Sequence, residues 1–207
     1  MPEDFLKYFP ELSDSQKTKL IRLKSIYEKW NSMINVISRK DMDNFYIHHV
    51  LHSLAITRIA SFTPGTTILD AGTGGGFPGI PLAIYFPESE FTLLDSIQKK
   101  IRVVSAVKDE LGLENVIPVR TRVEDEKRKY QFIVSRAVTD FPGFVKLTGK
   151  NLDKKSNNKL QNGIIYLKGG DLTEELVSFS NRVKVWEIKK YFKEPFFETK
   201  KIVYLPV

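Results

Sequence analysis

The sequence contains no cysteine, and this absence excludes disulfide scaffolds, thiolate nucleophiles, iron–sulfur clusters and cysteine-ligated zinc. It also lacks any unbroken apolar run near the ~18 residues that a membrane span requires. Charged residues stand at the N-terminus, where a secretory signal would need an apolar core. We therefore expect a cytoplasmic protein that does not contact a membrane.

Acidic residues are the scarcer charge. The chain of 207 residues has 25 Asp and Glu against 32 Lys and Arg, for a formal net charge of +7. This excess is spread along the chain rather than held in a basic tail, so folding must assemble any surface that binds a polyanion. Hydrophobic residues make up 42% of the chain, which is enough for a sizeable core. The length fits one domain with an appendage.

The first third of the chain has helical periodicity. Ser13 to Gln16 form a capping-box pattern, and apolar residues follow at helical spacing over 13–32. A second helical stretch is predicted over about 43–59, ending before a Pro-Gly turn. We predict that residues 1–62 form a helical extension on the substrate side of the protein.

From Thr66 onward, short β-branched runs alternate with helical segments. Strands are predicted at TTILDA, at EFTLLD, over 115–120 and 131–136, and from residue 163. This alternation predicts a doubly wound, mostly parallel α/β sheet over 63–207. The last two strand-like segments have no helix between them, so they predict an antiparallel C-terminal hairpin. The polar stretch 151–162 is predicted to be an exposed or mobile loop.

A glycine-rich turn follows the first predicted strand. It contains Gly72, Gly74, Gly75 and Gly76. Glycines at the carboxyl end of a parallel strand let a nucleotide-like ligand approach the backbone. A phosphate-binding Walker loop is excluded, because no Gly-Lys-Ser/Thr follows.

The turn also fits a dinucleotide motif. Gly74, Gly76 and Gly79 satisfy G-x-G-x-x-G, and Asp95 follows near the spacing of a ribose-binding acid. However, Pro78 lies between the last two of these glycines and is predicted to begin the helix itself, unlike the dinucleotide motif. The match to the dinucleotide motif is therefore interpreted as accidental, and an NAD-dependent oxidoreductase is kept as an alternative function.

The segment LDAGTGGGFPGIPLAI, with FTLLDS after it, resembles the bacterial small-subunit (16S) ribosomal RNA guanine-N7 methyltransferase family, RsmG or GidB. Further matching segments are WNSMIN (30–35), HVLHS (49–53), RVE (122–124), SRA (135–137) and LKG (167–169). The resemblance implies a Rossmann-like class I methyltransferase that uses S-adenosylmethionine (AdoMet). This chain departs from the family at His52, where an Asp usually precedes the Ser of the histidine motif.

The resemblance also implies the reaction and the partner. The methyl group would go to N7 of a loop guanine, and the partner would be 16S ribosomal RNA or the small-subunit ribosomal particle. We expect a monomer. A non-catalytic RNA- or ribosome-binding module that retains the fold is the alternative from a different functional class.

By this similarity, the residues that would bind the cofactor are Gly72, Gly74, Phe77, Asp95, Val123, Glu124 and Arg136. Gly72 and Phe77 would line the methionine and ribose side, and Val123 and Glu124 the adenine side. Asp95 would bind the ribose hydroxyls, since a carboxylate can accept two hydroxyl hydrogen bonds. Its alternative role is to cap the following helix. Asp70 would either contact the cofactor or cap the turn.

Substrate orientation would be the task of Arg136, Lys168 and His49. Guanine N7 carries a lone pair and no proton, so the reaction needs alignment rather than a general base. Arg136 could bind guanine O6 or a phosphate, or form a surface ion pair. The three histidines, His48, His49 and His52, lack an H-E-x-x-H pattern and a further ligand, so no metal site is predicted.

Overall fold

The computed structural model describes residues 4–207, apart from the side chain of Arg39. After a 3₁₀ turn at Asp4–Tyr8, helix α1 spans Asp14–Asn31. The predicted capping box is confirmed: the backbone N–H of Gln16 donates to Ser13 Oγ at 3.3 Å, and the backbone N–H of Ser13 donates to Gln16 Oε1 at 2.9 Å. No helix of the described chain is long and apolar enough to cross a membrane.

The second helical stretch is built from short segments of different helical types. They are α2 (Arg39–Met42), a π-helical turn (Tyr46–Leu51), α3 (His52–Leu54) and a 3₁₀ turn (Ala55–Arg58). The predicted helicity is confirmed, but the turn that carries His48 and His49 is π-helical. This turn brings both of these residues into contact with one arginine of the sheet.

The remaining chain forms a seven-stranded sheet in the order β3-β2-β1-β4-β5-β7-β6. The strands are β1 (Thr67–Ala71), β2 (Glu90–Asp95), β3 (Val116–Arg120), β4 (Phe132–Arg136), β5 (Gly163–Gly169), β6 (Lys184–Glu187) and β7 (Lys200–Pro206). Strands β1 to β5 are parallel, whereas β7 pairs antiparallel with both β5 and β6. The predicted parallel sheet and antiparallel C-terminal hairpin are confirmed.

Helices cover both faces of the sheet. They are α4 (Gly79–Tyr85), α5 (Gln98–Leu111), α6 (Phe141–Thr148) and α7 (Thr173–Leu176). Helix α1 contacts α4 and α5, so the N-terminal extension shares one hydrophobic core with that face of the sheet. A second core on the other face includes Leu69, Phe144 and Tyr166.

Two details differ from the sequence predictions. Helix α4 begins at Gly79, with Pro78 just before it rather than at its first position. The predicted exposure of the polar loop holds for 154–157 but is wrong for Asn151 and Asn162, which are buried. Their side-chain amides donate to backbone carbonyls, which satisfies their polar groups and removes the reason for exposure.

Candidate active site

The glycine turn between β1 and α4 depends on backbone conformations that only glycine adopts easily. Gly72, Gly74 and Gly76 have φ of +70°, +61° and +102°. A Cβ on Gly76 would lie 2.9 Å from Tyr27 Oη, whereas one on Gly74 would meet no atom within 4 Å. Tyr27 Oη donates to the Gly75 carbonyl at 2.5 Å. Thus α1 fixes one side of the turn, and Gly74 leaves the other side open for a ligand.

Asp70, near the end of β1, forms hydrogen bonds with the turn and with the start of α4. Its Oδ2 accepts from Thr73 Oγ at 2.6 Å and from the Gly79 backbone N–H at 2.8 Å. Burial raises the pKa of this carboxyl to about 7, because the charged form loses its hydration. The sequence left two roles for Asp70, a cofactor contact or a cap of the turn. Its bonds to Thr73 and Gly79 are those expected of a cap. Its Oδ1 is buried and has no hydrogen-bond partner among the described residues.

A cavity of about 440 Å³ opens beside this turn, at the carboxyl ends of β1, β2 and β3; we call it the cofactor pocket. It is lined by Gly72, Leu94, Asp95, Ser96, Thr121, Arg122, Val123, Glu124, Val138 and Leu147. The structure therefore brings together Gly72, Asp95, Val123 and Glu124, which the sequence predicted as cofactor residues. Its volume lies within the roughly 300–1,000 Å³ of small-molecule sites.

Asp95 connects the cofactor pocket to the glycine turn. Its Oδ2 accepts from the Gly74 backbone N–H at 3.0 Å and lies 3.3 Å from Lys100 Nζ. Its Oδ1 accepts from the Ile97 backbone N–H at 2.9 Å, just before α5 begins. The alternative role of Asp95 as the cap of this helix is wrong, because Ile97 is the N-cap of α5 and no side chain caps the first turn. Since a carboxylate has about four acceptor positions, these three bonds leave about one for a ribose hydroxyl, and a second would become free if Lys100 moved away.

A second cavity, of about 400 Å³, lies at the ends of β4 and β5; we call it the histidine pocket. It is lined by Asp41, His48, His49, His52, Arg136, Ala137, Leu167, Lys168, Gly169, Phe196 and Lys200. All the residues predicted to orient the substrate, Arg136, Lys168 and His49, line this one pocket. A larger groove of about 850 Å³ lies elsewhere, between the N-terminal segment, α1 and Glu194, and contains none of the predicted site residues.

Arg136, the last residue of β4, is anchored to the π-helical turn. Its Nη1 donates to the His48 carbonyl at 2.9 Å and its Nη2 to His49 Nδ1 at 3.0 Å. Burial lowers its pKa to about 10, so it stays charged at neutral pH. The alternative of a surface ion pair is wrong, because the partners of the guanidinium are a backbone carbonyl and an imidazole rather than a carboxylate. Its central carbon lies 5.4 Å from the centroid of the Phe77 ring.

The arginine also determines the protonation of its neighbour. An arginine can only donate, so His49 Nδ1 must accept and the ring proton lies on Nε2. Burial lowers the pKa of His49 to about 3, and the positive charge of Arg136 acts in the same direction. His49 is therefore a neutral imidazole. Its Nε2 is buried without a hydrogen-bond partner in the described structure.

His48 and Lys168 have polar protein partners in the histidine pocket, whereas the buried Nε2 of His52 has no hydrogen-bond partner among the described residues. His48 Nδ1 lies 3.0 Å from Asp41 Oδ1, and its ring stacks on Phe196 with centroids 4.0 Å apart. Burial lowers the pKa of His52 well below its usual value. Lys168 Nζ lies 2.7 Å from Glu175 Oε2. No group of three or more metal-ligating side chains is found within the described residues.

Three of the residues predicted to bind the cofactor, Gly74, Phe77 and Arg136, do not line the cofactor pocket formed by the described residues, and their cofactor contacts stay predictions. Phe77 is 4% exposed and packs against Tyr27, Phe45, His49 and Arg136. The sequence also missed Phe196 and Lys200, which reach the histidine pocket from the C-terminal hairpin. Neither belongs to a local motif, so no sequence signal marked them.

Comparisons with known proteins identify the family of the chain. A family model described as rRNA small subunit methyltransferase G, GidB, matches residues 16–203. The ribosomal RNA small subunit methyltransferase G of Christiangramia forsetii is 54% identical over 201 residues, which cover 97% of this chain and 95% of that protein. The protein of the same name from Phocaeicola vulgatus is 51% identical over 205 residues, with 99% and 98% covered.

Solved structures share the fold at low sequence identity. A SAM-dependent methyltransferase from Aquifex aeolicus matches with a TM-score of 0.58 and 15% identity, over 83% of this chain and 100% of that one. Coclaurine N-methyltransferase, solved with N-methylheliamine and SAH, matches with a TM-score of 0.54 and 13% identity, over 89% and 70%. The predicted class I AdoMet-dependent methyltransferase fold is confirmed.

Proposed function

The chain belongs to the GidB family, rRNA small subunit methyltransferase G, and from this premise we propose that it methylates N7 of a loop guanine in 16S ribosomal RNA. The observation that carries the proposal is the placement of two pockets on either side of one loop. Arg136 and Ala137 line the histidine pocket, and the next residue, Val138, lines the cofactor pocket. A donor bound on one side would therefore lie next to a base bound on the other.

The cofactor pocket fits AdoMet. The open side of Gly74 allows close approach to the backbone, and Asp95 has about one free acceptor position for a ribose hydroxyl. Val123 and Glu124 offer an apolar and a polar contact for adenine. AdoMet supplies an electrophilic methyl group on a sulfonium. We place Gly72 and Gly74 beside its methionine portion.

The histidine pocket fits a guanine. Guanine presents two adjacent acceptors, N7 and O6, whereas adenine has an amino donor in place of O6. Arg136 uses two of its N–H groups on the protein, and its remaining N–H groups are donors that suit O6 or a neighbouring phosphate. N7 needs no deprotonation, so the protein has to exclude water and align the lone pair with the methyl group.

The partner and the working state follow from the same proposal. A loop guanine can be unstacked and inserted more easily than a paired one. The helical extension, 1–62, supplies His48 and His49 to the pocket, which supports the proposed substrate-side role of that region. We propose that the protein acts as a cytoplasmic monomer, since its large exposed apolar residues lie on separate elements of the described structure.

Methyl transfer from labelled AdoMet to unmodified 16S RNA, offered either free or in small-subunit particles, tests the function. We expect transfer to at least one of the two, and the preferred form identifies the substrate. AdoMet binding without transfer to either would favour the non-catalytic module. Binding of NAD in place of AdoMet would favour the oxidoreductase.

A further inference from the structure

The wall between the two pockets is a short loop that follows β4, Ala137–Thr139. Ala137 faces the histidine pocket and Val138 the cofactor pocket. Ala137 has φ of +53°, a left-handed conformation that residues with a Cβ rarely adopt. Val138 packs so closely on Gly72 that its Cγ2 lies 2.6 Å from where a Cβ on Gly72 would be. The loop therefore has an uncommon backbone conformation at Ala137 and packs against the glycine turn at Val138.

One buried hydroxyl holds this shape. Tyr166, in the middle of β5, is fully buried, and its Oη accepts from the backbone N–H groups of Val138 at 2.9 Å and Thr139 at 3.0 Å. The same Oη donates to the Thr139 carbonyl at 2.9 Å. A hydroxyl has one donor and two acceptor positions, so all of its hydrogen-bonding capacity is used on this loop.

The hydroxyl is itself held rigidly. Tyr166 pairs in register with Ser135 of β4, and its ring stacks on Phe144 of α6 with centroids 4.5 Å apart and an interplanar angle of 10°. Lys168, two residues further along β5, also donates to the Thr139 carbonyl, at 3.2 Å. Strand β5 thus determines the path of the loop from a position inside the core.

We propose that Tyr166 is a positioning residue for methyl transfer: its hydroxyl sets the Ala137–Thr139 backbone and, through it, the alignment of the two pockets. This rests on the proposed function. The reacting atoms must lie roughly 3–3.5 Å apart and in line, and a misplacement of about 1 Å can lower the rate ~100-fold. A residue that touches neither ligand can therefore control the chemical step by fixing the wall between them.

The test uses two matched variants. Tyr166→Phe removes the hydroxyl and keeps the stacked ring. Tyr204→Phe is the control, because Tyr204 is a buried tyrosine of the neighbouring strand β7, 2% exposed, whose Oη donates to the Gln161 carbonyl at 2.5 Å. Within the described chain it lines neither pocket.

Steady-state methylation of 16S RNA gives the first readout. We expect Tyr166→Phe to lower kcat by about tenfold or more, with KM for RNA changed less than about threefold, because alignment is lost while RNA contacts remain. Tyr204→Phe should keep the wild-type kcat. Equal kcat in both variants and wild type, or an effect confined to KM, would overturn the role of Tyr166. Failure of the wild type to methylate guanine would instead overturn the proposed function.

Amide hydrogen exchange gives a second readout that needs neither RNA nor activity. The backbone N–H groups of Val138 and Thr139 should exchange slowly in the wild type, although Val138 is 41% exposed, and rapidly in Tyr166→Phe. Tyr204→Phe should leave both protected. If Tyr166→Phe does not fold, the wild type alone decides: rapid exchange at both amides overturns the inference, and slow exchange supports it.

Discussion

Asp70 is buried against the glycine turn, and its replacement by Asn should remove a pH dependence of the unfolding free energy. The folded carboxyl has a pKa of about 7, against 3.8 for the ordinary group, because it is fully buried. Between these values the folded state binds a proton that the unfolded state does not. Folding is therefore favoured by this group at low pH, and its contribution is lost as the pH rises toward 7. The free energy of unfolding falls by ~1.4 kcal/mol per pH unit in this range, or by about 4 kcal/mol between the two pKa values.

Urea unfolding of wild type and Asp70→Asn at several pH values from about 4 to 8 measures this effect. Asn is nearly isosteric, and its carbonyl oxygen can still accept from Thr73 and Gly79. The difference in unfolding free energy between the two proteins should shift in favour of the Asp70→Asn variant as the pH rises, and should level off above about 7. If the difference in unfolding free energy stays constant with pH, or shifts in favour of wild type, the raised pKa of the buried Asp70 carboxyl is refuted.

Three further changes test the site and the scaffold. Asp95→Ala should weaken S-adenosylhomocysteine binding in calorimetry by about tenfold or more, since it removes the acceptor proposed for the ribose hydroxyls; unchanged affinity would contradict that role. Arg136→Lys should lower kcat/KM for RNA about tenfold or more. A single ammonium group cannot bond to both His48 and His49 and also offer the base the paired N–H donors of a guanidinium. Full activity of this variant would argue against guanidinium binding of the base. Ser13→Ala should lower the unfolding free energy by about 1 kcal/mol through loss of the α1 cap, with methylation kinetics unaffected.

The features predicted from sequence are those that depend on local patterns. The Ser13 capping box, the alternation of strands and helices, and the glycine turn after β1 each depend on residues within a few positions of one another. Asp95 and Glu124 were brought into one pocket because parallel strands place their carboxyl ends at the same edge of the sheet. The resemblance to a known family added the reaction and the substrate.

The features missed are those created by contacts between distant segments. The π-helical turn places the His48 carbonyl and the His49 ring on Arg136, a residue far away in the chain, and helical periodicity carries no signal for it. Phe77 is packed against aromatic rings of Tyr27 and Phe45 from the N-terminal extension, and its local motif gave no indication of these contacts. Phe196 lies in the C-terminal hairpin and reaches the histidine pocket only through folding, so no local pattern marked it.

The chemical position of the methyl group tests the central claim most directly. Unmodified 16S RNA is incubated with the protein and AdoMet, digested to nucleosides and analysed by mass spectrometry against synthetic standards. The account predicts 7-methylguanosine as the product, at one guanine that maps to an unpaired loop when the RNA is cleaved at the modified base. Methylation at another atom, on another base or within a duplex would contradict it.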